Sequence, residues 1–483
     1  MTTSDIIVLL PLIIIAASAV IILLVLAFYR NHRLTAALTV TGFALALASL
    51  SPVSSPEARR ITPLLIIDGY AVFFMGMVIA ASIVVALLAH GYLEKRAGHH
   101  NEFYVLLLLA TLGSTVLVTA GHFASFFLGL ETLSISLYAL IAYERESEQG
   151  VEAGVKYLIL AAASSAFLLF GMALVYGELG SMEFSVIASR SASADIHHAA
   201  LLAGTGMIVI GIGFKLALVP FHMWTPDVYE GAPAPLTAYV ATVSKGAVFG
   251  LLLRYFTQVN INTESPLFLI FTIIAMASMF AGNLLALLQN NIKRVLAYSS
   301  ISHLGYLLVA FLASGGMRVT AVTFYLAAYF VTTLGAFGVV SVMSGKERDA
   351  DRMDDYRGLS SRRPWLAGIF TAMLLSLAGI PLTAGFIGKF YVVSAGIGSA
   401  LWLLVIILVV NSAIGLFYYL RIVVAMYQSP DEMKGIEIVP LSAASVSFAD
   451  RVVLAGLMLA LLWLGVYPAP LIRMIQATAA RLI

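Results

Sequence analysis

The sequence predicts an all-α polytopic membrane protein of about fourteen transmembrane helices, with two inverted five-helix repeats and two broken helices. Three observations carry this expectation: apolar stretches of bilayer length along the whole chain, single charges placed inside several of them, and one proline-interrupted stretch in each half. Of the 483 residues, 61% are hydrophobic and only 11% charged, and the mean hydropathy is +0.98. Such a composition lies far outside the range of soluble domains. A net charge of +2, from 27 Lys and Arg against 25 Asp and Glu, gives no reason to expect nucleic acid as a partner. The chain has no cysteine, which removes disulfides, thiolate metal sites and iron–sulfur ligation.

Spans of about 20 apolar residues are centred near Ile15, Leu45, Val78, Leu112, Tyr138, Phe167, Ile210, Val248, Ala275, Tyr306, Phe330, Ser376, Ile407 and Met458. No Lys or Arg precedes the first run and no small-residue cleavage pattern follows it, so Met1–Asp5 is expected to lead into a spanning helix and not a signal peptide. Connections after odd-numbered spans hold most of the Lys and Arg, while Arg59, Arg60, Arg190, Arg254, Arg318, Arg473 and Arg481 are assigned to the other side. The positive-inside rule then puts the odd loops in the cytoplasm and both termini in the periplasm. One long charged connection, Gly345 to Pro364, is expected to be solvated or to dock a soluble subunit. Residues 1–483 form a single membrane domain, and no amphipathic helix is expected beyond the fourteenth span.

Four charges, Glu131, Lys215, Lys245 and Lys389, fall inside the apolar stretches. A lone charge at the bilayer centre costs roughly 2.5–3.5 kcal/mol on the lenient insertion scale, so the default explanation is an ion or proton path. The seventh span reads GFKLALVPFHMWTPDVYEGAPAP and the twelfth SLAGIPLTAGFIGKFYVV, with Pro220 and Pro381 each after a related tetrad. Proline removes a helical hydrogen bond, and open backbone at membrane depth survives only where protein or water satisfies it. Paired breaks therefore mark a transporter-type site; a simple kink in each helix is the plainer alternative. Spans four to eight (104–257) would match spans nine to thirteen (265–427), and a repeat of odd length inverts its two copies. The match is one of helices and not of residues, since Lys215 precedes its proline and Lys389 follows its own.

If Glu131 approaches Lys215, attraction holds the lysine charged and separation releases its proton; a static pair that only fixes packing is the alternative. His222 and His303, with side chains that titrate near neutrality, are candidate relays. Tyr298, Ser299, Ser300, Ser302 and Tyr306 line a polar stretch around His303. Lys156, with Glu144 and Glu152 nearby in sequence, is a lesser candidate at the end of its span, and Arg421 is similar. Asp227 and Glu230 are expected to be turn and capping residues or to shape a proton entry, and Trp224 and Tyr229 to anchor at the interface. His99–His100 and His197–His198 lie in loops without further ligands, and no H-E-x-x-H, Walker or dinucleotide motif occurs, so neither metal nor cofactor is expected in this chain.

The stretch GFKLALVPFHMWTPDVYEGAPAP, the broken helix LAGIPLTAGFIGKF, the segment NIKRVLAYSSISHLGY and the glutamate in FFLGLETLSISLY resemble the antiporter-like membrane subunits of respiratory complex I and their relatives in multisubunit cation/proton antiporters. The resemblance covers essentially the whole chain. It implies a proton-translocating subunit driven by partner subunits, with Glu131 and Lys215 as the modulating pair, Lys245 as the relay lysine, Lys389 as the terminal lysine of the exit half-channel, and His222 and His303 between them. It further implies that NADH, FMN, iron–sulfur clusters and quinone are bound by other subunits, that the neighbours are antiporter-like subunit M and small subunits K, J and A, and that the home is a bacterial inner membrane. A stand-alone Na⁺(K⁺)/H⁺ antiporter, or a structural spacer, is the competing expectation.

Overall fold

The computed structural model describes residues 3–51, 59–96, 98, 100–193, 199–259, 265–429 and 446–479, so His99, His197 and His198 lie outside the described residues. Helices α1 (Thr3–Phe28) and α2 (His32–Ala48) are followed by a short antiparallel hairpin, β1 (Arg59–Ile61) and β2 (Leu65–Ile67), and then α3 (Gly69–Leu93). Next come α4 (Glu102–Thr119), α5 (Phe123–Ile141), α6 (Glu148–Leu179), the short α7 (Phe184–Ser193), α8 (Ala199–Leu216) and α9 (Trp224–Gly231). The eighth span is composite: α10 (Ala234–Tyr239), a π-helical turn at Val240–Ser244, and α11 (Lys245–Gln258). The second half holds α12 (Pro266–Leu287), α13 (Ile292–Leu312) and α14 (Met317–Met343), then two single turns, α15 (Met353–Tyr356) and α16 (Leu359–Arg362). It ends with α17 (Pro364–Ala378), α18 (Ala384–Gly398), α19 (Trp402–Met426), α20 (Phe448–Val466) and α21 (Ala469–Ala479).

All fourteen expected spans are present. Among the described residues, twelve helices are long and apolar enough to cross a membrane; α2 and the pair α17–α18 supply the other two. Burial sorts them into two shells. The apolar window of the composite eighth span is wholly buried and those of α13 and α14 are 94% buried, against 33% for α1 and 39% for α6, α12, α19 and α20. Outer helices therefore turn leucine, isoleucine and valine outward, as with Leu128, Ile159, Leu269 and Ile406, which suits lipid and not water. The same pairings recur in both halves: α4 packs on α5 and α11 as α12 packs on α13 and α19, and α6 packs on α8 and α9 as α14 packs on α17 and α18. Small residues let these backbones meet. A Cβ on Gly113 would fall 2.5 Å from the Leu133 amide nitrogen, and one on Gly282 2.6 Å from that of Ser302.

Both predicted breaks are real. After α8 the chain passes through Ala217, at φ +59°, before α9 begins; between α17 and α18 it passes through Gly379 at φ +88° and Leu382 at φ +69°.

Several expectations are corrected. A short helix, α21, does follow the fourteenth span, and its Ile472 and Ile475 pack with Phe324, Ala328 and Leu464. Arg254 is not a loop charge: it is buried on α11 and grips Asp68 at the start of α3 through two bonds of 2.9 and 2.8 Å. Trp224 and Tyr229 are core residues and not interface anchors, because Trp224 donates to the Phe214 carbonyl and Tyr229 to Ser300. The Gly345–Pro364 connection is not simply solvated. Its Asp349 accepts bonds from Tyr92 (2.6 Å), Arg96 (2.7 Å) and the buried Lys293 (2.7 Å), tying α3 and α13 together. Arg96 also pairs with Glu144, which is thereby not a partner of Lys156.

Candidate functional site

Lys215, Lys245 and Lys389 are all buried, on three different elements that converge on the two inner helices α13 and α14 or on α5. Lys215 sits in the last turn of α8, at the edge of the first break, and donates to Ser134 on α5 at 2.7 Å. Glu131, one turn before Ser134 on the same helix, is half-buried and accepts from Ser165 of α6 at 2.5 Å. The expected direct contact between Glu131 and Lys215 is absent. Each bonds a serine instead.

Lys245 follows directly on the π-helical turn and donates to Ser300 of α13 at 2.7 Å, with its ammonium 5.2 Å from the Tyr229 ring centre. Ser300 also receives Tyr329 of α14 at 2.8 Å. Three residues on, His303 bonds Tyr325 at 2.7 Å through Nδ1 and Tyr419 at 3.2 Å through Nε2, and Tyr419 in turn bonds Ser299. A neutral imidazole donates at one nitrogen and accepts at the other, so His303 can pass a proton across itself between two hydroxyls. Ser299, His303 and Tyr306, four and three residues apart, share one face of α13, with Ser300, three before His303, at its edge. That face ends at Lys389, whose ammonium lies 5.3 Å from the Tyr306 ring centre. A cavity of about 10 Å³ bounded by His303, Thr332, Ser376 and Gly385 has room for about one water beside the second break.

Lys389 resolves the unequal spacing of the two lysines from their prolines. From α18 it reaches back to donate to the carbonyl of Ala378, the last residue of α17, at 2.8 Å, and to Ser412 at 2.7 Å. Lys215 occupies the last turn of α8. Both therefore belong to the C-terminal end of the first half of a broken helix, where unpaired carbonyls favour a cation.

Other candidates fall outside this set. His222 is buried in the first break, but its Nδ1 has no partner and no bond joins it to a lysine among the described residues. Lys156 lies at the rim, paired with Glu152 and Asp227; Asp227 and Glu230 both pair with Arg294. Arg421 caps α12 by donating to the carbonyls of Leu287 and Gln289. The sequence reading missed Ser134, Ser165, Tyr325, Tyr329, Ser412 and Tyr419. A signal was available in the adjacent Asn411 and Ser412 inside an otherwise apolar run, and in the one-turn spacing of Glu131 from Ser134 and of Tyr325 from Tyr329.

A polytopic bundle with buried lysines, a carboxylate and a hydroxyl–imidazole run between two broken helices is built as an ion-translocating membrane subunit. The chain belongs to the family described as NADH:quinone oxidoreductase/Mrp antiporter, TM, whose model matches residues 120–415. It is 53% identical over 473 residues to NADH-quinone oxidoreductase subunit N of Nitrosospira multiformis, covering 94% of this chain and 92% of that one. The wording TPDVYEGAP, and the histidine of SSISHLGY where sister subunits usually carry glutamine, resemble subunit N in particular. A chain of respiratory complex I from Thermus thermophilus with bound aureothin shares 32% identity at a TM-score of 0.82, over 97% of this chain and 100% of that one. A chain of the Mrp complex from Dietzia sp. DQ12-45-1b has a TM-score of 0.85 at 21% identity, over 100% and 98%, a likeness of fold alone.

Proposed function

We propose that this chain is a proton-translocating membrane-arm subunit of NADH:quinone oxidoreductase, a translocase component with no redox centre of its own. The observation that carries this is the face of α13 that joins Lys245, through Ser300 and His303, to Tyr306 and Lys389. Glu131 and Lys215 form the modulating pair, each bonded to its own serine. Lys245 is the relay, His303 the connection and Lys389 the exit. His222 and Lys156 stand outside this route. NADH, FMN, iron–sulfur clusters and quinone are assigned to partner subunits, and subunits M, K, J and A to the neighbouring positions. The recurring helix pairings support inverted repeats at 104–257 and 265–427, each presenting a lysine at the end of a broken half-helix. The inner membrane of a bacterium is the proposed site, with the Asp349 cluster facing the cytoplasm and both termini the periplasm.

Lys215→Ala and Glu131→Ala will each strongly reduce quinone-linked proton pumping in membrane vesicles, while native gels show the complex assembled; Glu131→Asp will be milder. Wild-type pumping in an assembled Lys215→Ala complex overturns the route. A cation/proton antiporter is the second reading, supported by the shared fold. The inner lysines bond serine hydroxyls and one carbonyl, and no carboxylate-and-carbonyl cage surrounds them among the described residues, so the carried ion is expected to be H⁺. Turnover should then be the same with and without Na⁺. Loss of acidification on omitting Na⁺ would select the antiporter.

A further inference from the structure

A second site lies away from the lysines, where the end of α19 meets the turn α15. Here a groove of about 900 Å³ opens to the outside of the bundle. Its polar end is formed by Arg352, Arg357 and Arg421, with Asp354 the one acid among the described residues that line it and Gln428 beside them. Its apolar end is the outward face of α19, where Phe417 is 65% and Val424 63% exposed. Asp354 is already engaged by Arg357 at 2.7 Å, and among the described residues Arg421 is engaged only by backbone carbonyls. Arg352 is exposed and has no ion-pair partner among the described residues. The rim therefore carries excess positive charge next to lipid-facing side chains, on the side of the bundle that holds the Asp349 cluster.

We propose that this groove binds an anionic phospholipid, with its headgroup phosphate on Arg352 and Arg357 and an acyl chain along Phe417, Leu420 and Val424. Charge complementarity selects the occupant. Guanidinium forks match phosphate oxygens two at a time, and a basic pocket at the cytoplasmic level of a helix bundle is suited to an acidic lipid. A zwitterionic lipid would bring an ammonium group against three arginines, and a soluble anion would leave the apolar half of the groove unused. Nothing in the proton route depends on this site.

The test is native mass spectrometry of the full-length chain in mixed micelles, titrated with cardiolipin or phosphatidylglycerol and, separately, with phosphatidylethanolamine. The parent is expected to retain the anionic lipids preferentially. The double variant Arg352→Gln, Arg357→Gln should bind them roughly 30-fold more weakly, at about five-fold per charge near the membrane surface. Its phosphatidylethanolamine binding should be unchanged, which also reports that it is folded, and Arg352→Lys with Arg357→Lys should recover most of the affinity. Equal retention of both lipid classes by the parent, or anionic lipid binding unaffected by the glutamines, overturns the proposal. Displacement of the lipid by excess inorganic phosphate overturns it too, since the site would then be one for free anions.

Discussion

Lys389→Arg will stop proton transfer through the exit as completely as Lys389→Met, with pumping per electron through this subunit reduced by about a hundred-fold, the low end of what a positioned acid–base group contributes. The lysine ammonium is placed by the Ala378 carbonyl and the Ser412 hydroxyl, and its stem fills the space a side chain on Gly379 would need. Arginine retains the positive charge that favours the end of α17, but its guanidinium does not give up a proton. A purely electrostatic role tolerates that exchange, whereas proton carriage does not. Membrane vesicles supply the pumping measurement and a native gel the control for assembly. Arginine pumping like the parent while methionine fails would make Lys389 an anchor for the helix end and remove it from the route.

Asp349→Ala is expected to be the most destabilising single change outside the membrane spans. It strips a carboxylate from between Arg96 and Lys293 and leaves Lys293, 1% exposed, without its counter-charge. Breaking a buried pair in this way costs roughly 3–5 kcal/mol. A lower unfolding midpoint in detergent, with less complex on native gels, is the readout, and Asp349→Leu combined with Lys293→Met should recover part of the loss. An unchanged midpoint would show the cluster to be dispensable. Its pH dependence follows from the carboxyl's surroundings. Burial alone would raise the Asp349 pKa, but Lys293 and Arg96 outweigh it and hold the group below the usual carboxylate range. The contribution is therefore complete above the ordinary carboxylate pKa and is lost only as pH falls below it, toward the lowered value.

Much of the architecture was legible because a bilayer imposes one length and one polarity on each span. Fourteen apolar runs, two proline breaks and three inner lysines could be read from residue types alone. What could not be read was which charges reach each other. Arg254 and Lys293 look like loop residues, because they fall near the ends of apolar runs, yet both are buried. Asp349, in a connection that reads as solvated, is drawn against Lys293 and Arg96 because the end of α3 and the start of α13, far apart in sequence, close over it. The serine partners of Lys215 and Glu131 are equally hidden: a hydroxyl in a membrane helix usually satisfies a carbonyl of its own preceding turn. Only the tertiary arrangement reveals which of them face a charge.

The π-helical turn at Val240–Ser244 gives the eighth span two angular phases. A regular helix advances by about 100° per residue, and a π-turn absorbs one residue more than the regular winding. Everything from Lys245 onward is thus rotated by about one residue's step from where α10 alone would aim it. The Thr242 hydroxyl closes on the Ala238 carbonyl at 2.6 Å inside this turn. The lysine's aim at Ser300 is consequently a property of chain length as well as of residue identity. A one-residue deletion within 240–244 that restored regular winding would leave Lys245 in the chain and point it elsewhere, so this span is more tolerant of substitution than of a change in count.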